Sequence, residues 1–215
     1  IARAVGREPA EVRLDNLVPA QAMPFDAVTG LHFDSGDYPL CLRTAIEQIG
    51  LDGVRARQKR GEPDARLIGI GITTYTETTA LGARNFALKG WPAVPGYEQA
   101  TLRLTSDGGL EVRVGVLSPG TGLETTLAQI AHEILGIDPE RIKVVHGDTA
   151  LTPYSTGTYN SRCMVMAGGA VCASANALAG RIVPLGAHLL GCRADEARLE
   201  QGAVRKPRQR VMVRQ

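Results

Sequence analysis

The stretch YEQATLRLTSDGGLEVRVGVLSPGTGLETTLAQIAHEILGIDPERIKVVHG, residues 97–147, decides the fold class. Two alternating runs, 97–105 and 110–117, flank Asp107-Gly108-Gly109. Alternation with period two places one side of each run on a core. The Asp-Gly-Gly triplet supplies the positive φ angles of a tight turn, so the pair reads as a β-hairpin. The period then changes. Leu123, Leu127, Ile130, Ala131, Ile134 and Leu135 fall on one face of a helix, and Gly136 stops it. Arg141–His146 returns to a short strand. Hairpin, helix and strand in this order predict an α+β fold, with mixed sheets and packed helices.

Toward the N-terminus, residues 8–14 read as a short helix with Pro9 in its first turn. Residues 19–39 carry three prolines and two glycines and read as a long irregular connection. From 40 to 58 the apolar spacing is helical, with an interruption at Gly50 and Gly53. RLIGIGITTYTETT, 66–79, is rich in β-branched residues and reads as a strand. Its Gly69 and Gly71 leave one side open to close packing. Residues 89–96 are too rich in proline to be regular.

Toward the C-terminus, residues 147–162 form a loop dense in hydroxyls. The apolar run 163–190 follows, in which Pro184 is expected to kink or split a helix. Eighteen uncharged residues between Arg162 and Arg181 meet the length of a membrane span. Most of them are Ala, Gly, Ser, Asn or Cys, so the run reads instead as a helix buried against strands 66–79 and 97–117, with no membrane span. The expected domains are a helical and irregular segment over 1–64, an α+β domain over 65–204 and a basic tail over 205–215.

Composition narrows the function classes. Of the 215 residues, 44% are hydrophobic and 21% charged, which excludes wholesale disorder. A net charge of +2 is too small to argue for nucleic acid. Cys41, Cys163, Cys172 and Cys192 show neither CxxC nor cluster-type spacing, so a reduced, cytoplasmic chain is expected. The sequence opens on Ile with Arg3, Arg7 and Glu8 close behind, unlike a signal peptide. It reads as a chain entered midway.

Two turns carry the candidate chemistry. Gly120-Thr121-Gly122 precedes a helix. Glycines admit a ligand to the main chain, and the helix start offers free N–H groups and the positive end of a dipole. The same pattern serves as a plain turn capped by Ser118 or Thr121, and both readings stand. Residues 148–162 hold Thr158, Tyr159, Asn160, Ser161 and Arg162 before a second helix start at Cys163. Hydroxyls, an amide and a guanidinium suit a polar, anionic ligand, while a polar surface loop explains them equally. If both turns serve a ligand, they converge on it. Glu77 is a weaker acid–base candidate. His132-Glu133 lacks the second His of a zinc protease motif, and His146 has no partner at ligand spacing. No residue is assigned as catalytic or metal-ligating.

Taken together, EPAEVRLDNLVP (8–19), FDSGDYP (33–39), RLIGIGITTYTETT (66–79), GTGLETTLAQIAHEILGI (120–137) and GDTALTPYSTGTYNSR (147–162) resemble the large subunit of the molybdenum hydroxylases. That is the xanthine dehydrogenase/aldehyde oxidase family, here in its carbon monoxide dehydrogenase-like branch. The resemblance implies a molybdopterin-binding region and a cofactor in the cytosine dinucleotide form. Gly120, Thr121 and Gly122 would face it from one side, and Thr158, Asn160, Ser161 and Arg162 from the other, several of them through main-chain N–H. Thr121 stands where the family usually has Gln, and Cys163 where a small hydroxyl residue is common. The implied reaction is oxidative hydroxylation of aldehydes or N-heterocycles, or oxidation of a small carbon substrate, with oxygen from water. The implied partners are the rest of the large subunit, iron–sulfur and flavin (FAD) subunits, and a small-molecule substrate. The family's catalytic glutamate has no counterpart motif in these residues. A non-catalytic remnant, acting at most as a binding or assembly module, is the alternative from another class.

Overall fold

The computed structural model describes residues 1–206, and the chain divides into two units between Thr76 and Glu77. The division expected after residue 64 is corrected, because residues 65–76 run with the first unit. There the Gln58 side-chain amide donates to the Ile68 carbonyl at 2.8 Å.

In the first unit, α1 (Pro9–Asn16) starts at Pro9. A proline costs nothing there, since the first helical N–H groups have no partner in the helix. Phe25–Asp26 (β1) and His32–Phe33 (β2) pair as a minimal antiparallel hairpin inside the irregular connection. In α2 (Tyr38–Ile49) the Asp37 carboxylate accepts from the Leu40 amide at 2.9 Å, which caps the helix. The expected interruption falls at Gly50, and α3 (Leu51–Arg60) follows, with Gly53 inside it. A two-armed bond from the Arg55 guanidinium to the Glu8 carboxylate, at 2.7 and 3.0 Å, ties α3 to the start of α1. The guanidinium holds the Glu8 carboxyl below its usual range.

The strand expected over 66–79 does not form. Burial along the segment alternates: Ile68, Ile70 and Ile72 are half-buried, while Leu67 and Tyr75 are exposed. No strand pairs with it among the described residues. β-branched residues favour a sheet only by packing across a ladder, and none is present. Gly69 and Gly71 face open space, so the close approach expected at these two glycines is absent.

The second unit carries α4 (Ala83–Leu88) and then the hairpin of β3 (Ala100–Leu104) and β4 (Leu110–Val114). Leu104 pairs with Leu110 and Leu102 with Val112. Helix α5 (Leu123–Leu135) crosses to β5 (Ile142–Val145), which joins β4 in parallel, Val112 beside Val144. The sheet order is therefore β3-β4-β5, one antiparallel and one parallel junction. Leu110, Val112 and Val114 are buried and alternate with the partly exposed Glu111 and Arg113. They share one core with Leu123, Leu127, Ala131 and Leu135 of α5. Each fully buried Val or Leu among them contributes roughly 1.5–3 kcal/mol.

The apolar run becomes α6 (Cys163–Leu189), continuous through Pro184, so the expected split does not occur. It meets the length and apolarity of a spanning helix. Its Ala167, Val171 and Ala175 nevertheless have no exposed surface and pack into the same core, against α5 and β3. Burial covers one stripe rather than the whole run, and Val165 is 55% exposed. A last hairpin, β6 (Arg198–Glu200) with β7 (Ala203–Arg205), packs on α6. The expected basic tail keeps only Arg205 and Lys206 in view. Arg205 belongs to β7, and 207–215 lie outside the described residues.

Candidate functional site

Both candidate turns belong to the second unit. Gly122 is the N-cap of α5, at φ +75°, and as a glycine it has no side chain to cap the first turn. A left-handed residue at this point reverses the chain into the helix, and only glycine does so without strain. Arg162 caps α6, again with no side-chain cap bond. Two helix starts without an N-cap side-chain bond thus follow the two turns.

Gly115, just after β4, lets the loops meet. A Cβ there would overlap the Pro153 carbonyl oxygen and Ser155. The Thr158 hydroxyl then joins the two turns. It accepts from the Leu117 amide at 2.8 Å, donates to the Leu117 carbonyl at 2.6 Å, and accepts from the Cys163 thiol at 3.3 Å. One donor and two acceptor positions are the whole capacity of a hydroxyl. The Thr158 hydroxyl is therefore committed to joining the two turns.

Between them lies a cavity of about 620 Å³. Pro119, Thr121, Leu123 and Thr126 line one side, and Thr158 to Met164 line the other, with Glu77. That volume is in the range of small-molecule sites, about 300–1,000 Å³. The structure therefore brings together Thr121, Thr158, Asn160, Ser161 and Arg162. Gly120 and Gly122 shape the turn around Thr121 without lining the cavity themselves. Asn160 and Ser161 both take left-handed conformations, at φ +46° and +48°. The Ser161 hydroxyl lies 3.4 Å from the Glu77 carboxylate and donates toward it.

Arg162 departs furthest from its expected role. Its side chain has no exposed surface. The guanidinium donates to the carbonyls of Leu81 (2.9 Å), Gly96 (2.9 Å) and Gly157 (3.0 Å) and pairs with the equally buried Glu98 carboxylate. It also lies 5.3 Å from the centre of the Tyr159 ring. All of its charge is matched inside the protein, so it brings none to a ligand. Glu98, which no motif marks, was missed in the sequence for that reason.

Two further groups stand beside α5. His146 Nε2 donates to Glu124 Oε1 at 2.8 Å, while its Nδ1 is buried without a partner. The His146 bond, the Glu124 backbone amide and the Ser118 hydroxyl hold the Glu124 carboxyl below its usual 4.5. His132 Nδ1 meets the Ile137 carbonyl at 2.8 Å, a structural bond at the end of α5.

Residues 44–214 match the molybdopterin cofactor-binding domain family. The chain is 33% identical, over 88% of its length, to the carbon monoxide dehydrogenase large chain of Afipia carboxidovorans. It is 31% identical, over 93%, to the 6-hydroxypseudooxynicotine dehydrogenase complex subunit gamma of Paenarthrobacter nicotinovorans. It spans 24% of the length of each. Among solved structures, quinoline 2-oxidoreductase from Pseudomonas putida 86 superposes with a TM-score of 0.61 at 29% identity, covering 95% of this chain and 26% of that one.

Proposed function

The chain belongs to the molybdopterin cofactor-binding domain family, and from that premise we propose that it forms the cofactor-holding part of a molybdenum hydroxylase large subunit. The observation that carries this reading is one cavity lined by two turns, each leading into a helix whose N-cap residue makes no side-chain cap bond. Free amides at helix starts bind phosphate, and molybdopterin in its cytosine dinucleotide form carries a pyrophosphate. The residues present fit such a group. Thr121 and the main chain around Gly122 would hold it from the α5 side, Asn160 and Ser161 from the α6 side.

Bound there, the cofactor supplies the redox-active metal centre. The chain's own residues bind and orient it, and the paired walls exclude water from part of it. The reaction class proposed for the whole enzyme is hydroxylation of aldehydes or N-heterocycles, or oxidation of a small carbon substrate, with oxygen from water. The names of the relatives support the class and leave the substrate open. Proposed partners are the remainder of a large subunit and subunits bearing iron–sulfur clusters and FAD. A cytoplasmic location, with neither nucleic acid nor membrane as partner, completes the proposal.

Retention of cofactor tests it. The purified chain is mixed with molybdopterin cytosine dinucleotide, desalted, oxidised and read by pterin fluorescence. About one equivalent is expected to stay bound, and no retention overturns the reading. Thr121→Glu puts a carboxylate on the cavity wall at an exposed position, so the fold should persist. Repulsion of phosphate is expected to weaken retention at least about tenfold.

A further inference from the structure

We propose that Glu98 and Arg162 are positioning residues, a buried staple that holds the 155–162 loop in the shape that makes the cavity wall. The proposal rests on the cofactor-site reading for its function, but its geometry stands alone. Arg162 and Glu98 have no side-chain exposure, and they lie 64 residues apart in sequence. Charges removed from water are costly, and an apolar pair of similar size would stabilise the interior as well or better. A paired charge does give one arrangement only, because a guanidinium fork accepts few geometries.

The contacts show which arrangement is selected. Arg162 grips the Gly157 carbonyl at one end of the loop and is itself the other end. Its remaining N–H groups bond the Leu81 and Gly96 carbonyls, which anchor the loop to two other segments of the same unit. Glu98 completes the grip, since the Ser155 hydroxyl donates to it at 2.9 Å and accepts from the Gly157 amide at 2.9 Å. Between these fixed ends, Asn160 and Ser161 are both left-handed. Non-glycine residues stay in that region only where their surroundings over-determine them. The Ala80 amide, bonded to the Asn160 carbonyl at 3.2 Å, is the only other backbone tie to these two residues among the described residues. Without the staple the loop relaxes, and the wall formed by Thr158 to Ser161 is lost.

Hydrogen exchange on the full chain without ligand tests the staple. Glu98→Gln keeps the shape and removes the charge. Arg162→Lys keeps the charge and removes the fork. In both, the Gly157 and Arg162 amides should exchange at least about tenfold faster, while Val112 and Val114 of β4 stay within about threefold of the parent. Unchanged exchange at Gly157 and Arg162 overturns the proposal. So does equal acceleration in loop and sheet, which would make the pair a support of the whole fold. Binding of cytidine 5′-diphosphate, measured by calorimetry on the same proteins, should weaken at least about tenfold in both variants. If the parent chain does not bind it, the cofactor-site reading fails while the exchange comparison still decides the staple.

Discussion

Thr158 joins the two turns because its hydroxyl serves Leu117 on both the amide and the carbonyl. Valine has the same shape and neither bond. Each hydrogen bond is worth about 0.5–1.5 kcal/mol net, and water takes over part of the loss at a half-buried site. Thr158→Val is therefore expected to cost about 1–2 kcal/mol, read as a lower urea midpoint with an unchanged slope. Cofactor retention should fall as well, since the walls are no longer tied. Among the residues expected to touch a ligand, Thr121, Asn160 and Ser161 stand on the cavity wall, whereas Thr158 and Arg162 turn their polar groups into the protein. Residue type alone cannot separate these roles, because the same hydroxyl or guanidinium serves a ligand or a carbonyl equally well.

At the scale of elements, α5 carries its own acid-sensitive contact. The Glu124 carboxyl is held below its usual 4.5, chiefly by its bond to His146. A depressed carboxyl contributes stability that is fully present above the unfolded value and is lost as pH falls through the folded one. The thermal midpoint of the parent should therefore fall below about pH 4.5, and Glu124→Gln should flatten that limb. The two proteins should converge in acid. An equal acid slope in both would remove Glu124 from the account. The end of β4 is a second such place. Gly115→Ala would push a methyl against the Pro153 carbonyl and Ser155. A cost of about 1–3 kcal/mol is expected, the range for overpacking, again read in urea.

The whole molecule is two units, and the cavity belongs to the second. The chain spans 24% of the length of the carbon monoxide dehydrogenase large chain it resembles. The proposed role is to hold the cofactor, and no residue is assigned as the catalytic base. Loaded with cofactor and assayed with aldehydes and N-heterocycles, the chain alone is expected to give only background turnover. Among the described residues, Glu77 is the one carboxylate on the cavity wall. Turnover well above background that disappears in Glu77→Gln would assign it the base and overturn the expectation.

Local physics carried much of the architecture. The β3–β4 hairpin followed from its Asp-Gly-Gly turn, and α5 from its apolar stripe and Gly136. The helix break at Gly50 and the apolar α6 followed in the same way. Each depends on residues a few positions apart, so their spacing is visible in the chain. The sequence also marked both turns as the candidate site, and the motif pattern named the family. Only the tertiary structure decided the rest. Residues 66–79 have the composition of a strand, but a strand needs a neighbour, and no strand pairs with them among the described residues. Arg162 finds its partners at Gly96, Glu98 and Leu81, which are 64–81 residues away. Whether a charge faces a ligand or a buried carboxylate is set by what packs around it, and spacing along the chain carries no record of that.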